Sequence, residues 1–457
     1  VTGTEASGPV GTPGVGPEVE AEIGRWRQYI FARGSVSKED ADELEDHLRG
    51  HVDGLMDAGL ADDEALLVAV KRMGSQAEVA REFARQHSRR LWRDLVLDGG
   101  APRSRMGVAA ALGFGVLAGL AAKIGWLVGP EENPQDTFLV MIPLVLGVLA
   151  TFLWWRRRAS SRVLAAIGGA TVGLVALGLS YPFDAQADTA VLFAIHAVIV
   201  MWIAVGVGYA GGHWRSRAAR MDFIRFTGEW AIYMFLIATA GGALVGVSLA
   251  VFNGLGIAIE DAIFFWVLPL GAGGATVVAA WLVESKQEVL ETIAPVLTRV
   301  FTPIATLAVL AMLAGAVVSG GFEESRESLI AVDLLLVVVL GLVLYSLTAQ
   351  SPASPVSWAD RMQLALVVAA LLLDLAALAA MAGRIADFGF TPNRLATLGM
   401  NLVLVANLAV TAWLYVQRVF RGRDLTPLLR WQTGYIPVYG AWALAVCVVV
   451  PPLFAFA

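Results

Sequence analysis

From position 106 onward the apolar residues come in blocks of roughly twenty, separated by short polar stretches, and each block can cross the hydrocarbon core of a bilayer as a helix. Before position 105 there is no such block. The criterion predicts about eleven spans: 106–128, 137–155, 163–180, 189–210, 228–252, 262–283, 302–319, 329–347, 362–382, 395–417 and 435–456. Ahead of them apolar positions recur at ordinary helical spacing. Ile23, Trp26 and Ile30 form one stripe, ended by Gly34. Leu44, Leu48, Val52 and Leu55 form a second, opened by a cap at Ser37 with Asp40 in the capping position and closed by Gly59. Leu66, Leu67, Val70 and Met73 form a third, broken by Gly74, and Val79 and Phe83 mark a fourth over 77–87. The pattern predicts an all-α, polytopic helical membrane protein with a small N-terminal helical domain. Its parts are a Gly/Pro/Thr-rich disordered start at 1–16, a helical prefix at 17–100 and a transmembrane domain at 101–457.

Composition agrees with the pattern. Only 16% of residues are charged and mean hydropathy is +0.67, whereas a soluble domain carries about a quarter charged residues. Glycine is abundant at 47 residues, and pairs such as Gly115/Gly119 and Gly242/Gly246 suit close helix packing. Cys447 is the single cysteine, so no intrachain disulfide forms and the compartment is not legible from cysteine usage. No basic n-region or apolar h-region precedes the first span, so insertion is expected to start there.

The net charge of −6 says less than where the charges fall. Arg89, Arg90, Arg93, Arg103 and Arg105 precede the first span; Glu131, Glu132 and Asp136 follow it. Arg156, Arg157, Arg158 and Arg162 come next, then Asp184 and Asp188, then Arg215, Arg217, Arg220 and Arg225, then Glu260 and Asp261. Glu323, Glu324 and Glu327 outweigh Arg326, and Arg418, Arg421, Arg423 and Arg430 follow the tenth span. Arginine accumulates on the cytoplasmic side. The alternation therefore predicts a cytoplasmic N-terminus, an extracytoplasmic C-terminus and an odd number of spans. The loop at 383–394 breaks the rule, because it is placed outside yet carries Arg384 and Arg394. Two connections, around 289–300 and 425–431, have the spacing of short helices lying on the membrane surface.

Motifs for soluble-type chemistry are missing. No HExxH pattern, Gly-rich phosphate loop after a strand or serine nucleophile elbow occurs, and no cofactor is expected. His47 and His51 share a helix face with Glu43, a spacing that can hold a metal but more commonly marks a solvated face. Ionisable and amide side chains inside spans are costly and therefore informative. They are Lys123, His196, Glu229, Asp333 and Asp374, with Asn401 and Asn407 beside them. Lys123, Glu229 and Asp333 lie near span ends and are expected to snorkel. Asp374 is too deep and too short for that. The candidate cluster is Asp374, Arg384, Asp387, Asn393, Arg394 and Asn401, in which Arg394 and Asn401 share a helix face at seven residues' separation. Two readings stay open for it: an outward-opening pocket for an anionic group such as a lipid phosphate, or an internal salt bridge that only sets the hairpin.

Two segments carry resemblances. Glu43-Leu44-Glu45-Asp46-His47-Leu48, Ala58-Gly59-Leu60 with Glu64-Ala65, and Lys71-Arg72-Met73-Gly74 before Val79-Ala80 resemble the helical prefix module found ahead of bacterial permease-like and signalling membrane proteins. That module is often associated with PadR-type transcriptional regulators. Phe226-Thr227-Gly228-Glu229-Trp230 and Arg384-Ile385-Ala386-Asp387-Phe388-Gly389-Phe390-Thr391-Pro392-Asn393-Arg394 resemble an uncharacterised bacterial integral-membrane family, which implies no activity. The prefix resemblance implies a membrane sensor or signalling protein whose prefix reports to a cytoplasmic regulatory protein. The alternative is a permease-like carrier of a lipid or small molecule with a regulatory prefix. A lipid-acting enzyme is the least favoured class, for want of a paired acidic motif or metal cluster. Expected partners are the lipid bilayer, the cytoplasmic regulator, a lipid or small-molecule ligand and a second copy of the chain, with no direct nucleic-acid contact.

Overall fold

The computed structural model describes residues 19, 22–24, 38–72, 105–128, 137–184, 186–285, 293–318, 326–350 and 354–457. The chain divides into two units, Val1–Arg105 and Met106–Ala457. In the first, α1 (Lys38–Asp57) and α2 (Asp62–Arg72) pack on one another. Leu48, Val52 and Leu55 meet Ala65, Leu66 and Ala69, with Val19 and Ile23 completing the core. Gly59, at φ 97°, ends α1, and the Leu60 amide donates back to the Leu55 carbonyl. Leu67, expected in the core, is 73% exposed; Ala65 and Ala69 pack inward with Leu66 instead. His47 and His51 are exposed, and among the described residues no His/Cys/Asp/Glu group could hold a metal. Trp26, Ile30, the cap at Ser37, Met73 and the expected helix at 77–87 lie outside the described residues.

The second unit is all helix among the described residues: α3 (Arg105–Val128), α4 (Thr137–Arg156), α5 (Ser161–Ser180), α6 (Asp188–Tyr209), α7 (Arg217–Gly254), α8 (Glu260–Ser285), α9 (Ile293–Val318), α10 (Arg326–Thr348), α11 (Trp358–Phe388), α12 (Pro392–Arg421), α13 (Thr426–Val448) and the single turn α14 (Val450–Leu453). Ten of these, α3 to α12, are long and apolar enough to span a bilayer. The protein is a polytopic helical membrane protein. The expected eleventh span falls on α13, which starts nine residues earlier than position 435 and is interrupted before α14. Its first half, with Gln432, Thr433 and Pro437, is less apolar than the other helices. At 23 residues it is nevertheless ~34 Å long, and it lies against α6 and α12.

Contacts between helix ends sort the molecule into two faces without reference to a membrane. At one, Arg157 pairs with Glu284 at 2.8 Å, Arg220 donates to the Thr433 carbonyl at 2.6 Å, and Arg225 donates to the Thr348 carbonyl at 2.9 Å. At the other, Lys123 donates to the Phe265 carbonyl and the Tyr181 hydroxyl to that of Val448. There the Asp184 and Thr189 amides donate to the carbonyls of Phe456 and Ala457. Thr433 and Val448 thus stand at opposite faces, so α13 traverses the full thickness. Among the described residues the arginine-rich connections share one face; Ala457 shares the other with Asp184 and Asp188.

Two apolar cores build the unit. One joins α3 to α8, with Phe152, Phe193, Met201 and Phe226 fully buried, and the other joins α9 to α12, with Leu336, Leu373 and Tyr415. α13 serves both, through Leu428 in the second and Cys447 in the first. Gly115 and Gly119 let α3 approach Gly274 and Leu270 of α8, as their spacing suggested. Gly242 and Gly246 of α7 face open space instead. The two connections read as surface helices are not separate. Residues 293–300 run straight into α9 through Pro303, and 426–431 form the first turns of α13.

Candidate functional site

The loop that broke the charge rule is mostly helix. α11 continues to Phe388, six residues past its predicted end, and α12 begins at Pro392, leaving a three-residue turn at 389–391. Gly389 takes φ 75°, and the Thr391 hydroxyl accepts from the Arg394 amide as the cap of α12, with Pro392 in its first turn. The Arg394 guanidinium donates to the carbonyls of Phe388 and Gly389, at 3.1 and 2.8 Å, and lies over the Phe388 ring. It occupies the negative end of α11, where a cation is stabilised. Its partners are carbonyls, not the Asp374 carboxylate. Arg384 and Asp387 sit on the last turns of α11 and Asn393 on the first of α12, half-buried or exposed. The candidate cluster thus splits: Arg384, Asp387, Asn393 and Arg394 stay at the hairpin tip, and Asp374 and Asn401 lie deeper.

Asp374 lies fourteen residues before the end of α11, ~21 Å along its axis. It is 0% exposed, and neither carboxylate oxygen has a hydrogen-bond partner. α10 brings Asp333 within electrostatic reach of it. The Asn401 amide, on α12, approaches the Asp333 carboxylate. Asn401 is 1% exposed, and its Oδ1 and the Asp333 Oδ1 are also unpartnered. Tyr439, from α13, stands within electrostatic reach of Asp374, its hydroxyl buried and unpartnered. Four helices therefore converge two carboxyls, an amide and a phenol in an apolar bundle. Sequence reasoning named Asp374, Asn401 and Asp333 but placed Asp333 at the interface. Tyr439 carries no sequence signal, since tyrosines are common in span-flanking positions.

The remaining intramembrane polar residues are engaged elsewhere. Lys123 does not snorkel: at 8% exposure it donates to the Phe265 carbonyl at 2.6 Å and sits over the Trp266 ring. Both partners belong to the π-helical stretch Ile263–Val267 of α8, where the wider turn leaves carbonyls displaced from regular pairing. His196 Nδ1 contacts the Leu192 carbonyl at 2.8 Å. Asn407 pairs with Gln432 and Thr411. Glu229, 4% exposed, lines a cavity at the arginine face. A buried ion pair escaped the sequence reading: Arg418 contacts Asp360 at 3.3 Å and donates to the carbonyls of Ser354, Pro355 and Arg423. Asp360 also accepts from the Ser357 amide, capping α11. The pair clamps the end of α12 to the start of α11.

Comparison of the chain with known protein families, with curated proteins and with solved structures finds no match.

Proposed function

We propose that this protein is a permease-like secondary carrier in which the Asp333–Asp374 pair takes up and releases a proton during the transport cycle. The observation that supports the reading is the unpartnered state of the Asp374 carboxyl at zero exposure, with a second carboxyl beside it. A carboxyl with no hydrogen-bond partner and a second carboxyl beside it, held only by an amide, are too costly in a bilayer interior to keep for packing alone, and such residues line ion and proton paths. A proton held between them removes the repulsion, and its loss restores it, biasing any motion that separates α10 from α11. The prefix unit has its own core and serves in this reading as a regulatory module for a cytoplasmic partner. The sensor reading rests on the prefix resemblance alone and does not account for the acid pair.

The arginine face is assigned to the cytoplasm by the positive-inside rule, which places the prefix inside and Ala457 outside. A periplasm-active reporter fused after Ala457 should be active and a cytoplasm-active one silent; the reverse result overturns the orientation. For the carrier reading, proteoliposomes on a solid-supported membrane are subjected to pH jumps. The wild type should show a transient charge displacement that Asp374→Asn abolishes and Asp333→Asn reduces at least tenfold. Displacement that is absent from the wild type, or unchanged in Asp374→Asn, sinks the proposal.

A further inference from the structure

The first turns of α9 and α11 and the last turn of α10 pack together at the arginine face, where the Thr348 carbonyl accepts from Arg225. Between them lies a cavity of about 300 Å³, within the size range of small-molecule sites. Thr298 and Thr302 of α9, Ser346 of α10 and Gln363 of α11 line it, and all four are buried. Ser354 and Pro355 extend the wall, and Arg418 fixes them by donating to both carbonyls. The acid pair contributes no residue to this wall.

Two groups in the wall have bonding capacity that the protein leaves unused. Gln363 is 1% exposed; its Nε2 donates to the Thr302 hydroxyl at 3.0 Å, and its Oε1 has no hydrogen-bond partner. A desolvated amide oxygen is costly to strand, and only a donor can satisfy it. Arg299 lines the cavity three residues before Thr302, on the same helix face. It is exposed and makes no ion pair or hydrogen bond among the described residues. Its guanidinium keeps a fixed fork of donors that matches phosphate oxygens. Among the described residues no carboxylate lines the cavity to oppose an anion. Asp360, three residues before Gln363, is engaged by Arg418 and by the Ser357 amide. Trp358, also in the wall, is exposed, as indoles at the level of lipid headgroups are.

We infer that this cavity binds a polyol phosphate, with phosphate oxygens on the Arg299 guanidinium and a ligand hydroxyl donating to Gln363 Oε1. An ionised phosphate without hydroxyls has acceptors only and would leave the Gln363 oxygen stranded. A polyol without phosphate would leave Arg299 unpaired. An ammonium ligand would meet Arg299 with no carboxylate in the wall to hold it. Glycerol phosphate is a compact group with both ends, and it can come from a phospholipid headgroup or from a free solute. The site does not depend on proton uptake at Asp374.

Detergent-purified full-length protein is titrated calorimetrically with α-glycerophosphate and, separately, with dihexanoyl-phosphatidylglycerol below its micellar concentration. Propyl phosphate and dihexanoyl-phosphatidylmethanol carry the matching charge without the hydroxyls and serve as the respective controls. At least one glycerol compound should bind, at least tenfold more tightly than its control. Its affinity should fall at least tenfold in Arg299→Gln, which alters an exposed side chain with no protein partner to lose. Gln363→Met should bring affinity down to that of the control. If Gln363→Met fails to fold, the comparison of each compound with its control in the wild type decides the hydroxyl end. Binding of α-glycerophosphate assigns a soluble ester; binding of the lipid alone assigns a headgroup. No binding of either glycerol compound, equal binding of the control, or affinity unchanged in either folded variant overturns the site.

Discussion

Two polar clusters share α12 within six residues of each other, and they are built in opposite ways. At Asn407 every feature is closed. Its amide donates to Gln432, its Oδ1 accepts from Thr411 and Gln432, and its carbonyl accepts from the Trp431 indole. The Gln432 amide also reaches the Thr411 hydroxyl at 2.6 Å. At Asn401 the features stay open: Asp374, Asp333 and Tyr439 each bury oxygen without a partner. Burial is the same, 0% for both Asn407 and Asp374. Exposure therefore does not separate the two clusters; hydrogen-bond closure does. A closed network fixes the fold of α12 against α13, since each lost partner strands a desolvated group. An open one contributes nothing to packing and leaves capacity for a ligand or proton.

The contrast breaks or sharpens under substitution, with unfolding followed in detergent. The largest effect belongs to the buried ion pair. Arg418→Ala strands Asp360 at 0% exposure and should cost about 3–5 kcal/mol, because a buried charge loses its counterion. Gln432→Leu leaves Asn407 and Thr411 short of partners and should cost about 1–3 kcal/mol. Adding Asn407→Leu and Thr411→Val should recover part of that loss, since no polar group then remains stranded. Arg394→Ala removes a guanidinium from the end of α11 and should cost only about 0.3–1 kcal/mol, without rescue by Asp374→Asn. Rescue would restore the salt bridge between them that the sequence suggested. Asp374→Asn should change stability by less than about 1 kcal/mol while abolishing charge displacement, because the carboxyl makes no protein hydrogen bond to lose. A large destabilisation there would make the acid pair structural and erase the distinction between the clusters.

The two faces of the membrane domain differ in how far they could be read in advance. At the arginine face, Arg157, Arg220 and Arg225 announced the side by number alone. Their partners, Glu284 and the carbonyls of Thr433 and Thr348, come from helices up to 213 residues away. At the hairpin tip the prediction misplaced a boundary. Span length was judged from the apolar run, which stops near Ala382, whereas α11 continues through Arg384, Ile385 and Asp387 to Phe388. Extending the helix turned the anomalous loop into a three-residue turn and gave Arg394 carbonyls to cap. Lys123 was misread for a related reason: its partner is a π-helical carbonyl in α8, a backbone irregularity with no residue signature.

What the sequence determined by itself is whatever the bilayer enforces residue by residue. An apolar run of twenty must be helical, because lipid offers no hydrogen bonds to exposed backbone, and arginine-rich connections must share a face. The all-α architecture, the ten long apolar helices among the eleven expected spans and the alternation of faces follow from those local rules. The tertiary structure alone decided which buried polar groups are paired. Asn401 and Asn407 are the same residue on the same helix, each 1% exposed or less, and no local rule separates them. Gln432 comes to one and Asp333 to the other because α13 and α10 pack at those heights. Pairing depends on helix register between segments distant in the chain, and apolar side chains of similar hydropathy do not encode that register in any single span.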